Sequence, residues 1–132
     1  MSGSASEADL PRVAALLAAR GERISVASLR ARLGDDDGGI LVSGAATVSW
    51  ALDGGALHLY DFAGDPLETG ALVESAEQLA RARFAAVLAA SLYEDDPALA
   101  SLRVAGFSDD SDEPAVRAGA ALRLHGLVRE VT

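Results

Sequence analysis

An imidazole or a part-buried carboxylate can be tuned to exchange protons near neutral pH, which brings His58, Asp61 and Glu94 forward as groups able to do chemistry. Each also has a plainer reading: His58 as a half-exposed strand histidine, Asp61 and Glu94 as solvated carboxylates at strand ends. His125, between Leu124 and Gly126, reads most simply as a surface residue. No Ser–His–Asp set stands out by spacing, and there is no paired-histidine metal motif. Without cysteine there is neither a disulfide framework nor a thiolate metal site. Asp35-Asp36-Asp37-Gly38-Gly39 lacks the spaced ligands and closing glutamate of a calcium loop. It reads as a solvated turn, and no metal is expected.

The elements that must position these groups centre on residues 56–84. Leu57 and Leu59 alternate with His58, Tyr60 and Phe62, which predicts a strand with the first pair on one face and the last three on the other. Gly64-Asp65-Pro66 is a turn. Leu72, Val73, Ala76, Leu79, Ala80 and Phe84 then recur at helical spacing. A strand running directly into a helix aims the helix N–H groups and positive dipole end at the strand's end, a natural place for an anion.

Before this unit, a helix is predicted over Leu10–Arg20, N-capped by Asp9 and ended by Gly21, with Leu10, Val13, Ala14, Leu16 and Leu17 on its buried side. A second runs from Val26 to Leu33, capped by Ser25 and closed by Gly34. Ile40–Val42 and Ala45–Leu52 are strands, and Gly54-Gly55 turns the chain into the central strand as an antiparallel meander. Ala85–Leu92 is an apolar run that should return parallel to the central strand. Asp96-Pro97 opens a helix ended by Gly106, and Ser108–Glu113 reads as a mobile acidic loop. Strand-like segments near Pro114–Arg117 and Leu122–Val131 follow. With no repeat or linker, residues 1–132 read as a single domain.

Composition narrows the partners. The net charge of −9 argues against nucleic acid, which needs a basic patch, and favours a cationic small molecule or a protein partner. No apolar run approaches the roughly twenty residues of a membrane span, and the N-terminal MSGSASEAD has no secretory character. A cytoplasmic protein is the expectation. All eleven basic residues are arginine, and none lies between Leu33 and Ala80, where nine carboxylates fall.

SEADLPRVAALLAA (6–19), ALVESAEQLAR (71–81) and DDPALASLRVAGF (95–107) are similar, in this order, to the first, central and late helices of the GNAT superfamily of N-acetyltransferases. The resemblance covers nearly the whole chain. It implies an α/β fold with a mixed sheet, mostly antiparallel around a splayed parallel strand pair, with helices on both faces. It also implies acetyl-CoA, or another acyl-CoA, as donor if the protein is active, and a homodimer through the C-terminal strands. In the family a loop of Arg or Gln, two residues, Gly, one residue, then Gly or Ala holds the coenzyme's pyrophosphate on backbone N–H groups. Here Phe62, Ala63, Gly64, Leu67, Glu68, Thr69 and Gly70 fall at or beside that place. No basic residue or glutamine opens the loop, leucine replaces its first glycine, and the connection is short. The tyrosine that many members use as an acid is here Leu102. Glu68 at the helix start competes with a phosphate for the dipole.

Two readings follow. In one the fold is kept, acetyl-CoA binding is weak or absent, and the protein is a binding or interaction module with a cleft near Tyr60, Phe62 and Tyr93. In the other it is an acyl-CoA-dependent N-acyltransferase acting on a cationic amine, with Asp61 or Glu94 as base through water and His58 as a further candidate.

Overall fold

The computed structural model describes residues 2–132. Strand β1 (Ser2–Ser4) precedes helices α1 (Leu10–Ala19) and α2 (Val26–Leu33). Strands β2 (Gly38–Ser43), β3 (Ala46–Asp53) and β4 (Ala56–Gly64) then lead through a short 3-10 turn at Pro66–Glu68 into α3 (Thr69–Ala82). Strand β5 (Val87–Tyr93), α4 (Ala98–Val104), β6 (Ser108–Arg117) and β7 (Ala120–Glu130) complete the chain. The seven strands form one sheet in the order β1-β2-β3-β4-β5-β7-β6. Only β4 and β5 are parallel, as their connection through a helix requires.

That parallel pairing runs only from Ala56↔Val87 to Leu59↔Ala90. Beyond it β4 continues to Gly64 and β5 to Tyr93 without pairing to each other. β4 stays with β3 as far as Ala46↔Gly64, and β5 stays with β7 as far as Tyr93↔Leu124. Each strand therefore satisfies its backbone on its outer side, and the gap opens on the side they would share.

Two apolar clusters, one on each face, hold the helices to this sheet. Leu72, Val73, Ala76 and Ala80 of α3 and Leu99 and Leu102 of α4 pack with Leu57, Leu59, Leu88 and Leu127. Leu10, Val13, Leu17 and Leu29 of α1 and α2 pack with Ile40, with Val42 and Ala63 alongside. The cap of α2 and the glycine stop of α1 are realised. Ser25 Oγ accepts the Ser28 N–H at 3.1 Å and starts α2 at Val26, while Gly21 takes φ +92° after α1. Asp9 precedes α1 but does not cap it, contrary to expectation: its backbone is already helical, and its carboxylate turns back to accept the Ser6 N–H at 2.8 Å across the 3-10 turn at Glu7–Asp9. Ser25→Ala should cost about 1 kcal/mol in denaturant unfolding, because the Ser28 N–H loses its acceptor. A loss under ~0.3 kcal/mol would mean that water replaces the cap.

Several expectations are corrected. Phe62 lies with Leu57 and Leu59 in the α3-side cluster rather than with His58 and Tyr60. Asp61 has φ +54°, and the β3–β4 register shifts between Thr47 and Ser49, so Asp61 and Phe62 together oppose Val48. A bulge of this kind inserts one residue and inverts the alternation after it. Phe84 is not on the α3 stripe: the helix ends at Ala82, Phe84 sits in the following turn at φ +58°, and it is 94% exposed. β5 begins at Val87, two residues later than the apolar run suggests.

Ser108–Glu113 is not a loop but the first part of β6, paired with β7 from Ser108↔Val128 onward. Its side chains are exposed on an edge strand, where pairing depends on backbone hydrogen bonds and needs no apolar alternation. Arginines also neutralise it: Arg103 binds Asp109 through two contacts of 3.0 and 2.8 Å, and Arg123 binds Asp112. Asp109 is held below the ordinary carboxylate range chiefly by its hydrogen bonds from Arg103. His125 is half-buried rather than a surface residue, and its Nδ1 is buried without a partner. β1 had no signal in the sequence; its pairing with Ser43, Val42 and Leu41 of β2 forms it.

Candidate functional site

The gap between β4 and β5 carries two cavities, one at the start of α3 and one toward α1 and α2. The first is lined by Thr47, Phe62, Gly64, Asp65, Thr69 and Asp96, among others, and has a volume of about 10 Å³. That is room for about one water molecule. The backbone around it is already occupied. Asp65 N–H donates to the Ala45 carbonyl at 3.0 Å and Glu68 N–H to the Asp65 carbonyl at 3.1 Å. Leu67 N–H donates to Asp65 Oδ1 at 3.0 Å, and Thr69 N–H to the Pro66 carbonyl. Pro66 has no N–H to give.

The remaining residues of the expected coenzyme loop complete this description. Phe62 is buried and Ala63 packs beside the α1–α2 cluster. Leu67 is 90% exposed, Thr69 is buried and Gly70 is exposed. Glu68 accepts a hydrogen bond from Ser43 Oγ at 2.7 Å and lies over Gly44. No arginine lines this cavity, whereas Asp65 and Asp96 do. The N–H groups of Asp65, Leu67, Glu68 and Thr69 are engaged, and the charges lining the cavity are negative, as a pyrophosphate's are. The residues here do not fit that group. Leu102, at the place of the family's acidic tyrosine, is fully buried in the core.

The second cavity has a volume of about 130 Å³ and is lined by Arg20, Glu22, Tyr60, Asp61, Phe62, Ser91, Leu92, Tyr93, Asp96 and Leu124. The bulge places Asp61 here, where Arg32 of α2 meets its carboxylate at 3.0 Å. The same guanidinium donates to Ser49 Oγ at 2.7 Å and lies 5.1 Å from the Tyr60 ring centroid. Across the cavity Arg20 pairs at 2.8 Å with Asp96, whose other oxygen accepts the Ala98 N–H at 3.0 Å at the start of α4. Arg117 lies 4.9 Å from the Tyr93 ring centroid and binds Asp95. Hydrogen bonding from Arg117 holds Asp95 below the ordinary carboxylate range, against a smaller opposing effect of burial.

Of the proton-transfer candidates, Asp61 lines this cavity, and His58 meets one of its lining residues: His58 Nε2 is 2.8 Å from Ser91 Oγ. Glu94 does not line it; it is exposed and accepts the Arg123 N–H at 3.1 Å. Sequence reasoning missed Arg20, Glu22, Arg32, Ser91 and Asp96 as parts of one site. Ser91 gave the one usable signal, a polar residue inside an apolar strand. Among the described residues no group of histidines and carboxylates could hold a metal ion, and no helix is long and apolar enough to cross a membrane.

No family model and no curated protein matches the chain. Solved structures do match along its full length. The ribosomal-protein-alanine N-acetyltransferase of Brucella melitensis shares 18% identity over 98% of this chain and 99% of that one, with a TM-score of 0.79. A probable acetyltransferase from Staphylococcus epidermidis ATCC 12228 shares 13% over 100% and 99%, with a TM-score of 0.83. A GNAT superfamily phosphinothricin acetyltransferase from Sinorhizobium meliloti, solved in complex with AcCoA, shares 13% over 99% and 88%, with a TM-score of 0.80. At these identities the likeness is one of backbone path. Together with the mixed sheet and its splayed β4–β5 pair, it establishes that the chain has the GNAT acetyltransferase fold.

Proposed function

We propose that this protein keeps the GNAT fold as a binding or interaction module and that ordinary acetyl-CoA binding is weak or lost. The observation that carries this reading is the start of α3. There the N–H groups of Asp65, Leu67, Glu68 and Thr69 are all engaged within the chain. A pyrophosphate would have to displace those bonds without gaining a cation in return. The cavity of about 130 Å³ between Tyr60 and Tyr93 supports a small ligand or a partner's side chain as occupant. Glu22 and the overall acidity favour a cationic one.

The test is a thermal-shift titration with acetyl-CoA at low salt, where phosphate contacts are least screened. The expected result is no shift up to millimolar coenzyme. Binding with a micromolar dissociation constant would stabilise the fold by about 2.7 kcal/mol at a hundredfold excess over that constant, and would overturn the reading.

A second reading has one observation in its favour. The bulge turns Asp61 into the gap between the splayed strands, and similar structures have been solved with AcCoA. An N-acyltransferase with Asp61 as base predicts acyl transfer to amines that Asp61→Asn reduces by about a hundredfold. Transfer that survives this change would remove Asp61 from the role.

A further inference from the structure

Strand β5 reads Val-Leu-Ala-Ala-Ser-Leu-Tyr, and Ser91 is its one aliphatic hydroxyl. The parallel register sets His58 beside Ala89, so the imidazole reaches forward to Ser91 and brings Nε2 to 2.8 Å from Oγ. The pair is part-buried, and Ser91 lines the cavity of about 130 Å³. A hydroxyl within hydrogen-bond reach of an imidazole, at the wall of a cavity, is the arrangement that activates a serine nucleophile. Tyr60, Tyr93 and Arg20, the last paired with Asp96, line the same space and are the residues from which a donor to a developing oxyanion could come.

We propose that Ser91 is a nucleophile that accepts a short acyl group from an ester, with His58 as its general base. The step uses the imidazole tautomer that carries its proton on Nδ1 and leaves Nε2 free. Ser91 Oγ forms a bond to the ester carbonyl carbon as its proton passes to His58 Nε2. The bond from that carbon to the alcohol oxygen then breaks, and the alcohol either takes the proton from His58 or leaves as its anion, in which case His58 gives that proton to solvent and Nε2 is free again. Water attacks the resulting serine ester by the same route, releasing the carboxylic acid and restoring Ser91. The cavity volume limits the acyl group to a few carbon atoms. No coenzyme takes part, so this inference stands apart from the coenzyme reading above.

The alternative is that the Ser91–His58 contact only satisfies two polar groups between strands, and the test separates the two. The full chain is mixed with p-nitrophenyl acetate, release of p-nitrophenolate is followed, and the acetylated residue is located by peptide mass spectrometry. The expected result is an initial release of about one equivalent per chain, with the acetyl group on Ser91. Ser91→Ala should abolish both while keeping the circular dichroism of the parent. His58→Gln can still hydrogen-bond Ser91 but cannot take its proton, and should acetylate about a hundredfold more slowly. Absence of a burst, acetylation that persists in Ser91→Ala, or His58→Gln reacting at the parent rate would each overturn the proposal.

Discussion

Gly64→Ala should lose at least about 3 kcal/mol of folding stability, a large part of the roughly 5–15 kcal/mol available to a domain of this kind. Gly64 has φ +95°, a conformation that an L side chain occupies only under strain. A Cβ there would fall 2.0 Å from the Ala45 carbonyl oxygen and 2.7 Å from the Ala46 Cα, both backbone atoms that cannot swing aside. The Ala45 carbonyl is also the acceptor for the Asp65 N–H, so the clash would break the bond that turns the chain toward α3. Gly70→Ala is the paired control. Gly70 lies inside α3, and a Cβ there would meet nothing within 4 Å, so alanine should gain about 0.5–1 kcal/mol of helix propensity. Urea unfolding of both variants checks the pair. Equal effects would mean that Gly64 is held by the sequence around it and not by contact with β3.

Glu77→Gln on α3 should cost about 1–3 kcal/mol near neutral pH. Glu77 is a buried carboxylate on α3 that ties in the end of β7 and the residues after it. Its Oε1 accepts from Thr132 N–H at 3.2 Å and Thr132 Oγ1 at 2.8 Å, and its Oε2 from Arg129 at 3.0 Å. Arg81, one turn along the helix, approaches at 3.2 Å and donates to the Thr132 carbonyl at 2.6 Å. Hydrogen bonds from the Thr132 side chain and then its backbone hold Glu77 below the ordinary carboxylate range; burial opposes them, and Arg129 and Arg81 assist. A folded-state pKa below the unfolded one gives stability that is present above the unfolded value and is lost as pH falls through the folded value. The difference between parent and Glu77→Gln should therefore be full at pH 7 and shrink once the pH drops below the usual glutamate range. Denaturant unfolding at pH 7 and at about pH 3 measures it. A difference that does not shrink with acidification would assign the effect to packing of the side chain and not to its charge.

The two substitutions bracket the part of the molecule where sequence and structure agree best and the part where they diverge. The strand–turn–helix unit, the bounds of α2 from Val26 to Leu33 and the Gly54-Gly55 hairpin could all be read from local patterns. Each is fixed by interactions within a few residues: a cap, a turn glycine, a stripe of alanine and leucine. The absence of arginine from the turn between β4 and α3 was equally legible, because it is visible without coordinates.

The sequence by itself determined the elements other than β1 and the first part of β6, their order, and the lack of cationic residues beside the helix start. Tertiary structure decided their phase and their company. The bulge at Asp61 needs β3 as a partner, since one residue becomes extra only when Val48 stands opposite two. β6 is a strand because β7 lies beside it, and no apolar pattern in Ser108–Glu113 announces a strand whose side chains all face water. Arg32 meets Asp61, Arg20 meets Asp96 and His58 meets Ser91 across separations of tens of residues. Such contacts depend on strand register and on how helices cross the sheet, and neither is encoded in a local window. The site is therefore a property of the splayed β4–β5 pair, assembled from residues that give no sign along the chain of belonging together.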